Sequence, residues 1–224
     1  TATDADGDDI TFTVSGSELA ITSAGVLTFV SAPDYETKST YTATVTATDG
    51  TNTATQDIAV NVTDVNEAPA FTSSTSYSVN ENQSSAGQLT ASDPEGNTLI
   101  FSLGSGTDDN NLNINSSTGV LTFKQNPNYE NADSYQITAS VYDGTNLVSQ
   151  NVTININNLN EAPSFSSSAT FSAAENQTAI GTVTATDEDG DDITFSISGS
   201  EININSSTGV LTFASAPDYE SKSS

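Results

Sequence analysis

The sequence predicts an all-β chain of tandem seven-stranded Greek-key β-sandwiches, with one complete repeat flanked by two partial ones. Three observations carry that expectation. Short motifs return in fixed order about 94 residues apart, apolar and polar residues alternate with period two, and no stretch carries helical spacing.

The repetition is direct. Asn66-Glu-Ala-Pro69 returns as Asn160-Glu-Ala-Pro163, and Glu81-Asn-Gln83 as Glu175-Asn-Gln177, both displaced by 94 residues. Gly-Val-Leu-Thr-Phe occurs three times, at 25–29, 119–123 and 209–213. Pro33-Asp-Tyr-Glu36 reappears as Pro127-Asn-Tyr-Glu130 and Pro217-Asp-Tyr-Glu220. The expected repeats are residues 1–66, lacking a beginning, the complete 67–160, and 161–224, lacking an end.

Alternation supplies the strands. Tyr41, Ala43, Val45 and Ala47 share one face of the 41–48 run, with threonines on the other. Tyr135, Ile137, Ala139 and Val141 repeat the pattern. β-Branched and aromatic residues fill such runs, and Asp, Asn, Gly, Ser and Pro separate them. In the complete repeat, strands are expected at 76–80, 86–92, 98–103, 111–115, 119–124, 134–142 and 147–157. Seven short strands in so few residues read as an immunoglobulin-like sandwich. Residues 104–110 are expected to be a loop insertion, because Phe101 to Phe123 spans 22 residues against 17 from Phe12 to Phe29.

Composition narrows the function. Asp and Glu total 29 against three lysines and no arginine, for a net charge of −26. Such a chain has almost nothing with which to neutralise phosphates, so nucleic acid is excluded as a partner. Its self-repulsion is relieved by cations held at fixed positions. Low hydrophobicity (34%) with high charge is also a signature of disorder, but the strand alternation argues against it. No His or Cys is present, which removes the usual nucleophile–base pairs and leaves little for an enzyme to work with.

The acids recur at set places between strands. Glu81 and Glu175 follow the first strand, and Asp4/Asp6, Asp93/Glu95 and Asp187/Asp189 follow the second. Asp34/Glu36, Asn128/Glu130 and Asp218/Glu220 precede the sixth strand, and Asp49 and Asp143 follow it. A fifth cluster, Asp64-Val-Asn66-Glu67 or Asn158-Leu-Asn160-Glu161, lies just before Ala-Pro. Any one of these motifs reads equally well as a turn. Five in fixed order point to a metal, and oxygen ligands at this density suit calcium rather than magnesium or zinc.

These motifs resemble the cadherin repeat, especially its bacterial relatives, over the whole chain. Glu81-Asn82, Asp93-x-Glu95, Asp34-Tyr-Glu36, Ala47-Thr-Asp49 and Asp64-Val-Asn-Glu-Ala-Pro69 stand where that family has Glu-Asn, Asp-x-Asp, Leu-Asp-Arg-Glu, Ala-x-Asp and the Asp-x-Asn-Asp-Asn-x-Pro linker. The resemblance implies calcium between successive repeats, with ligands from the upstream repeat, the linker and the downstream repeat. Around the first linker these would be Asp34, Glu36, Asp64, Glu67, Asp93, Glu95 and Asp143. Around the second they would be Glu81, Glu130, Glu161, Asp187 and Asp189, with neutral Asn128 and Asn158 in place of Asp34 and Asp64. The linker departs from the family in being one residue shorter and in carrying Glu67 or Glu161 for the second Asp.

The implied role is a calcium-stiffened structural or adhesive segment of an extracellular or surface rod, its partners being the neighbouring repeats. Any host-cell, matrix or carbohydrate ligand would be taken by other regions. Two alternatives stand beside it: a module that itself recognises sugar or protein, and a filament subunit that associates laterally.

Overall fold

The computed structural model describes residues 1–221; Lys222 and the two residues after it, assigned to the third repeat, lie outside. The first segment forms β1 (Thr11–Val14), β2 (Leu19–Ile21), β3 (Leu27–Phe29), β4 (Thr40–Thr48) and β5 (Thr53–Asn61). The central segment contains β6 (Ala70–Phe71), β7 (Ser76–Asn80), β8 (Ser85–Gln88), β9 (Ala91–Ser92) and β10 (Ile100–Leu103). A single 3-10 turn, Asp108–Asn111, precedes β11 (Leu112–Ile114), β12 (Val120–Phe123), β13 (Ser134–Tyr142) and β14 (Leu147–Asn157). The third contains β15 (Ser164–Phe165), β16 (Ala179–Thr182), β17 (Ala185–Thr186), β18 (Ile202–Ile204) and β19 (Val210–Phe213).

In the central segment, one sheet runs β10-β13-β14-β7, with β14 and β7 parallel, and faces a second of order β11-β12-β8. Alternation sets what lies between them. Ile137, Ala139 and Val141 of β13 and Val152, Ile154 and Ile156 of β14 point inward and are almost fully buried. They meet Leu89, Phe101 and Leu121. The all-β sandwich expectation therefore holds. Phe29 against Tyr41 (5.0 Å between ring centres) is repeated 94 residues on as Phe123 against Tyr135 (5.2 Å).

Two details differ from the sequence reading. The expected strand at 86–92 is broken, because β8 pairs with β12 whereas β9 pairs with β6. Gly87, at φ +125°, sits at an irregularity of the β8–β12 register, and a side chain there would strike the Tyr77 ring at 2.7 Å. The expected loop at 104–110 contains the start of the 3-10 turn, which is too short to leave a periodic signal. In the third segment, 170–174 and 194–197, counterparts of β7 and β10, are not strands.

The repeated Asn-Ser-Ser-Thr-Gly turn has a steric reason. Asn115 Oδ1 accepts the N–H groups of Ser117 and Thr118, and Gly119 then turns at φ +69° against the Leu89 carbonyl. A Cβ at Gly119 would lie 2.2 Å from that oxygen, and one at Gly209 2.1 Å from the Val183 oxygen. Gly119→Ala should therefore cost more than about 1 kcal/mol, combining clash with left-handed strain. A denaturant midpoint equal to wild type would contradict this.

Candidate metal centres

Between the second and third segments, Glu81, Glu130 and Glu161 bring one carboxylate oxygen each to within 4.8 Å of one another. Glu81 directly follows β7 and is 1% exposed. Its Oε1 accepts the Leu159 N–H (2.8 Å) and its Oε2 the Tyr129 N–H (2.9 Å), so both oxygens are partnered. One side chain thus ties the Pro-Asn-Tyr-Glu segment to the start of the linker. Asn82 follows in the left-handed region, which asparagine tolerates, and its amide donates to Glu161 Oε1 at 2.6 Å. Asp189 Oδ2 accepts the Glu161 N–H (2.8 Å), and Asn128 donates to Glu188 across the junction (2.9 Å). Burial, then the charges of Glu81 and Asp189, push the Glu161 carboxyl upward.

The first junction repeats the plan with Glu36, Glu67 and Glu95, again within 4.8 Å. Glu36 comes from the first segment, Glu67 from the linker and Glu95 from the loop after β9. A proton shared with Glu95, partial desolvation, and the charges of Glu95, Glu36 and Asp34 push Glu67 up to about 7. The Glu36 carboxyl is drawn down by its own backbone N–H, but desolvation and the charges of Asp64, Glu95 and Asp34 carry it upward overall. Asn66 stitches the linker to the central segment, donating to Asp143 (2.9 Å) and accepting from Asn97 (2.8 Å). Asp143 is buried, which opposes its charge. Hydrogen bonds from the Asn146 and Thr145 N–H groups and the Asn66 amide outweigh that and hold it at about 2.

The remaining expected residues fall into three groups. Glu175, Asp218 and Glu220 form a third carboxylate cluster at the far end of the third segment. Asp49, Asp4, Asp34 and Asp187 accept nearby backbone N–H groups and cap turns. Asp34 and Asp49 are held below the usual carboxylate range, first by the N–H groups of Thr37 and Asn52 respectively. Asp6, Asp64, Asn158 and Asn160 are exposed, and Asn160 spends its amide on the Glu161 carbonyl. Asn128 accepts the Asn131 N–H and donates to Glu188, so both ends of its side chain are engaged. Sequence reasoning passed over Asn82, Asn97 and Glu188 as participants. Glu188 had a signal: it stands where the preceding repeat has Pro94.

This donor set suits a hard divalent cation. Oxygens bound to one calcium ion lie at most about 5 Å apart, twice the bond length. Buried oxygens of Asp93, Glu95 and Glu161 have no hydrogen-bond partner. Among the described residues the one salt bridge, Lys38 to Glu18, is not in a carboxylate cluster, so no protein cation balances them. Carboxylates packed this way repel unless a cation or a proton joins them.

The fold is that of β-sandwich repeats, and the comparisons agree. Residues 66–156 match the family model described as Bacterial Ig domain. The chain is similar in fold to human CDH23 EC21-23, at TM-score 0.65 and 20% identity, covering 96% of this chain and 81% of that one. It is also similar to mouse Cadherin-23 EC22-24, at TM-score 0.58 and 24% identity, covering 95% and 77%. A protocadherin gammaB7 EC3-6 cis-dimer structure gives TM-score 0.60 and 22% identity, covering 96% of this chain and 62% of that one. No curated protein matches the chain significantly.

Proposed function

We propose that the chain is a calcium-dependent structural or adhesive segment of an extracellular rod, with repeats bounded at 1–66, 67–160 and 161–224. Calcium joins Glu36, Glu67 and Glu95, with Asp93 and Asp143 behind them, at the first junction. It joins Glu81, Glu130 and Glu161, with Asp189, at the second. One observation carries the reading: Glu36, Glu67 and Glu95, from two successive segments and their linker, bring carboxylate oxygens within 4.8 Å of one another, and Glu81 and Glu130 of the central segment do the same with Glu161 of the next linker, with buried oxygens of Glu95 and Glu161 left unpartnered. Without the ion these groups repel and the junctions hinge. With it, ligands from both neighbours close on one charge and the segments become collinear. The chain acts as scaffold and not as an enzyme. No helix among the described residues is long and apolar enough to cross a membrane.

Extracellular modules bind calcium at about 10⁻⁴ to 10⁻³ M. At a free concentration of about 100 times Kd, each ion adds about 2.7 kcal/mol to the ordered state. The expected result is a higher melting temperature and a longer particle by small-angle scattering in millimolar calcium than in chelator. Native mass spectrometry should show bound calcium lost on Glu67→Ala and Glu161→Ala. Identical melting and dimensions in the two conditions would sink the proposal.

A further inference from the structure

We infer that the Asp108–Asn111 insertion is a block against strand addition, closing an open edge of the central sheet with two carboxylates that take the place of a neighbouring strand. The inference rests on the sandwich alone and is independent of calcium.

β10 covers only half of β13. Their last register pair is Leu103 with Ala139, and one further bond runs from the Gly104 N–H to the Thr138 carbonyl (2.8 Å). A continuing strand would return an acceptor to the Thr138 N–H and then one to the Gln136 N–H, two residues along the same edge. The chain leaves the sheet instead, and side chains supply both acceptors. Asp109 Oδ1 accepts the Thr138 N–H at 2.9 Å and Asp108 Oδ2 the Gln136 N–H at 2.8 Å. Asp109 Oδ2 also takes the Gly106 N–H (2.7 Å), which fixes the insertion against its own loop.

This is a built arrangement and not a solvated acidic turn. Asp109 is 4% exposed. Gly104 and Gly106 leave room for it, since a Cβ on either would lie 2.8 or 3.1 Å from its Oδ2. Lys124 holds the far end by donating to the Asn110 carbonyl at 2.7 Å. The first segment serves as an internal control. There, four residues (15–18) link the strands where the central segment has eight (104–111). Ser15 Oγ accepts the Thr44 N–H (2.8 Å), matching Asp109 and Thr138. Thr42, the counterpart of Gln136, is exposed and carries no side-chain cap among the described residues.

An unpaired sheet edge is a template for another chain, and charge on it is a known defence. An incoming strand would have to displace both carboxylates, and its carbonyl oxygens would face them. Overall charge is a poorer safeguard, because bound cations and salt reduce it, whereas the two caps occupy the donors themselves.

The test uses the whole 224-residue protein. Backbone amide exchange is followed by NMR and association by sedimentation, for wild type and for Asp108→Ala/Asp109→Ala. A second variant replaces residues 104–111 with the Ser-Gly-Ser-Glu of 15–18, a connection this chain already folds with. In wild type Gln136 should exchange about ten- to a hundredfold more slowly than Thr42, the range expected for hydrogen bonds to charged acceptors. Both variants should lose that protection at Gln136, keep it at Ile137 and Ala139, and associate at concentrations where wild type is monomeric. Equal exchange of Gln136 and Thr42 in wild type overturns the inference, as does a variant that loses protection at Gln136 yet stays monomeric. If the alanine variant loses protection at Ile137 as well, it has unfolded, and the loop replacement decides by the same two readouts.

Discussion

Glu81→Ala should destabilise the central repeat by about 2–5 kcal/mol and abolish calcium binding at the second junction while sparing the first. The stability loss follows from what the carboxylate does without any ion. It is buried and satisfies the N–H groups of Leu159 and Tyr129, both of which would be left without acceptors. Each hydrogen bond to a carboxylate contributes about 1.5–3 kcal/mol. Loss of calcium follows from membership of the Glu81–Glu130–Glu161 cluster. Glu81→Gln separates the two roles, since its carbonyl still accepts one N–H while the charge is gone. It should recover about half the stability and none of the second-junction affinity. Denaturant midpoints in chelator and calorimetric titration measure the two effects. A fold as stable as wild type after Glu81→Ala would show that the two hydrogen bonds carry no weight.

Much of this architecture was legible in the residues, for a physical reason. A sandwich strand must present one face to a core and the other to water, so Ile137, Ala139 and Val141 announce β13 by spacing alone. The glycine that opens the repeated Gly-Val-Leu-Thr-Phe was visible only as a repeat, and the fold supplies its reason, since a Cβ at Gly119 would meet the Leu89 carbonyl. Repetition gave the order of the acids, and the fold gathers Glu36 with Glu67 and Glu95, residues far apart in sequence. What stayed hidden were contacts whose partners have no fixed spacing. Asp108 and Asp109 sit in an insertion with no counterpart to compare, and their role depends on where β10 stops. The hydrogen bond from Asn128 to Glu188 of the third segment was hidden too. The sequence difference that accompanies it is Asp34 with Pro94 at one junction against Asn128 with Glu188 at the other.

The first junction should lose stability as pH rises without calcium and keep it with calcium. In the calcium-free chain Glu67 is raised from 4.5 to about 7, chiefly by the proton it shares with Glu95 and by partial desolvation. Between those values the folded chain holds a proton that the unfolded chain has released. Stability therefore falls as pH rises through this window, and the loss is complete above the folded value. Removing the proton leaves Glu36, Glu67 and Glu95 facing one another as anions. Under the proposed function calcium would take the place of that proton, so its binding below pH 7 should release one. Affinity at this junction should fall by about tenfold for each pH unit below 7 and level off above it. Melting in chelator should then be higher at pH 5.5 than at pH 7.5, and melting in millimolar calcium should not show that decline. Glu67→Gln removes the titrating group: it should flatten the chelator profile, stabilise the calcium-free chain at pH 7.5, and weaken calcium at the first junction. Proton release on binding, read from calorimetry in buffers of different ionisation enthalpy, gives an independent count. A chelator profile unchanged by Glu67→Gln would mean that Glu67 does not share its proton within this cluster, and the first junction would lose its proton–calcium exchange.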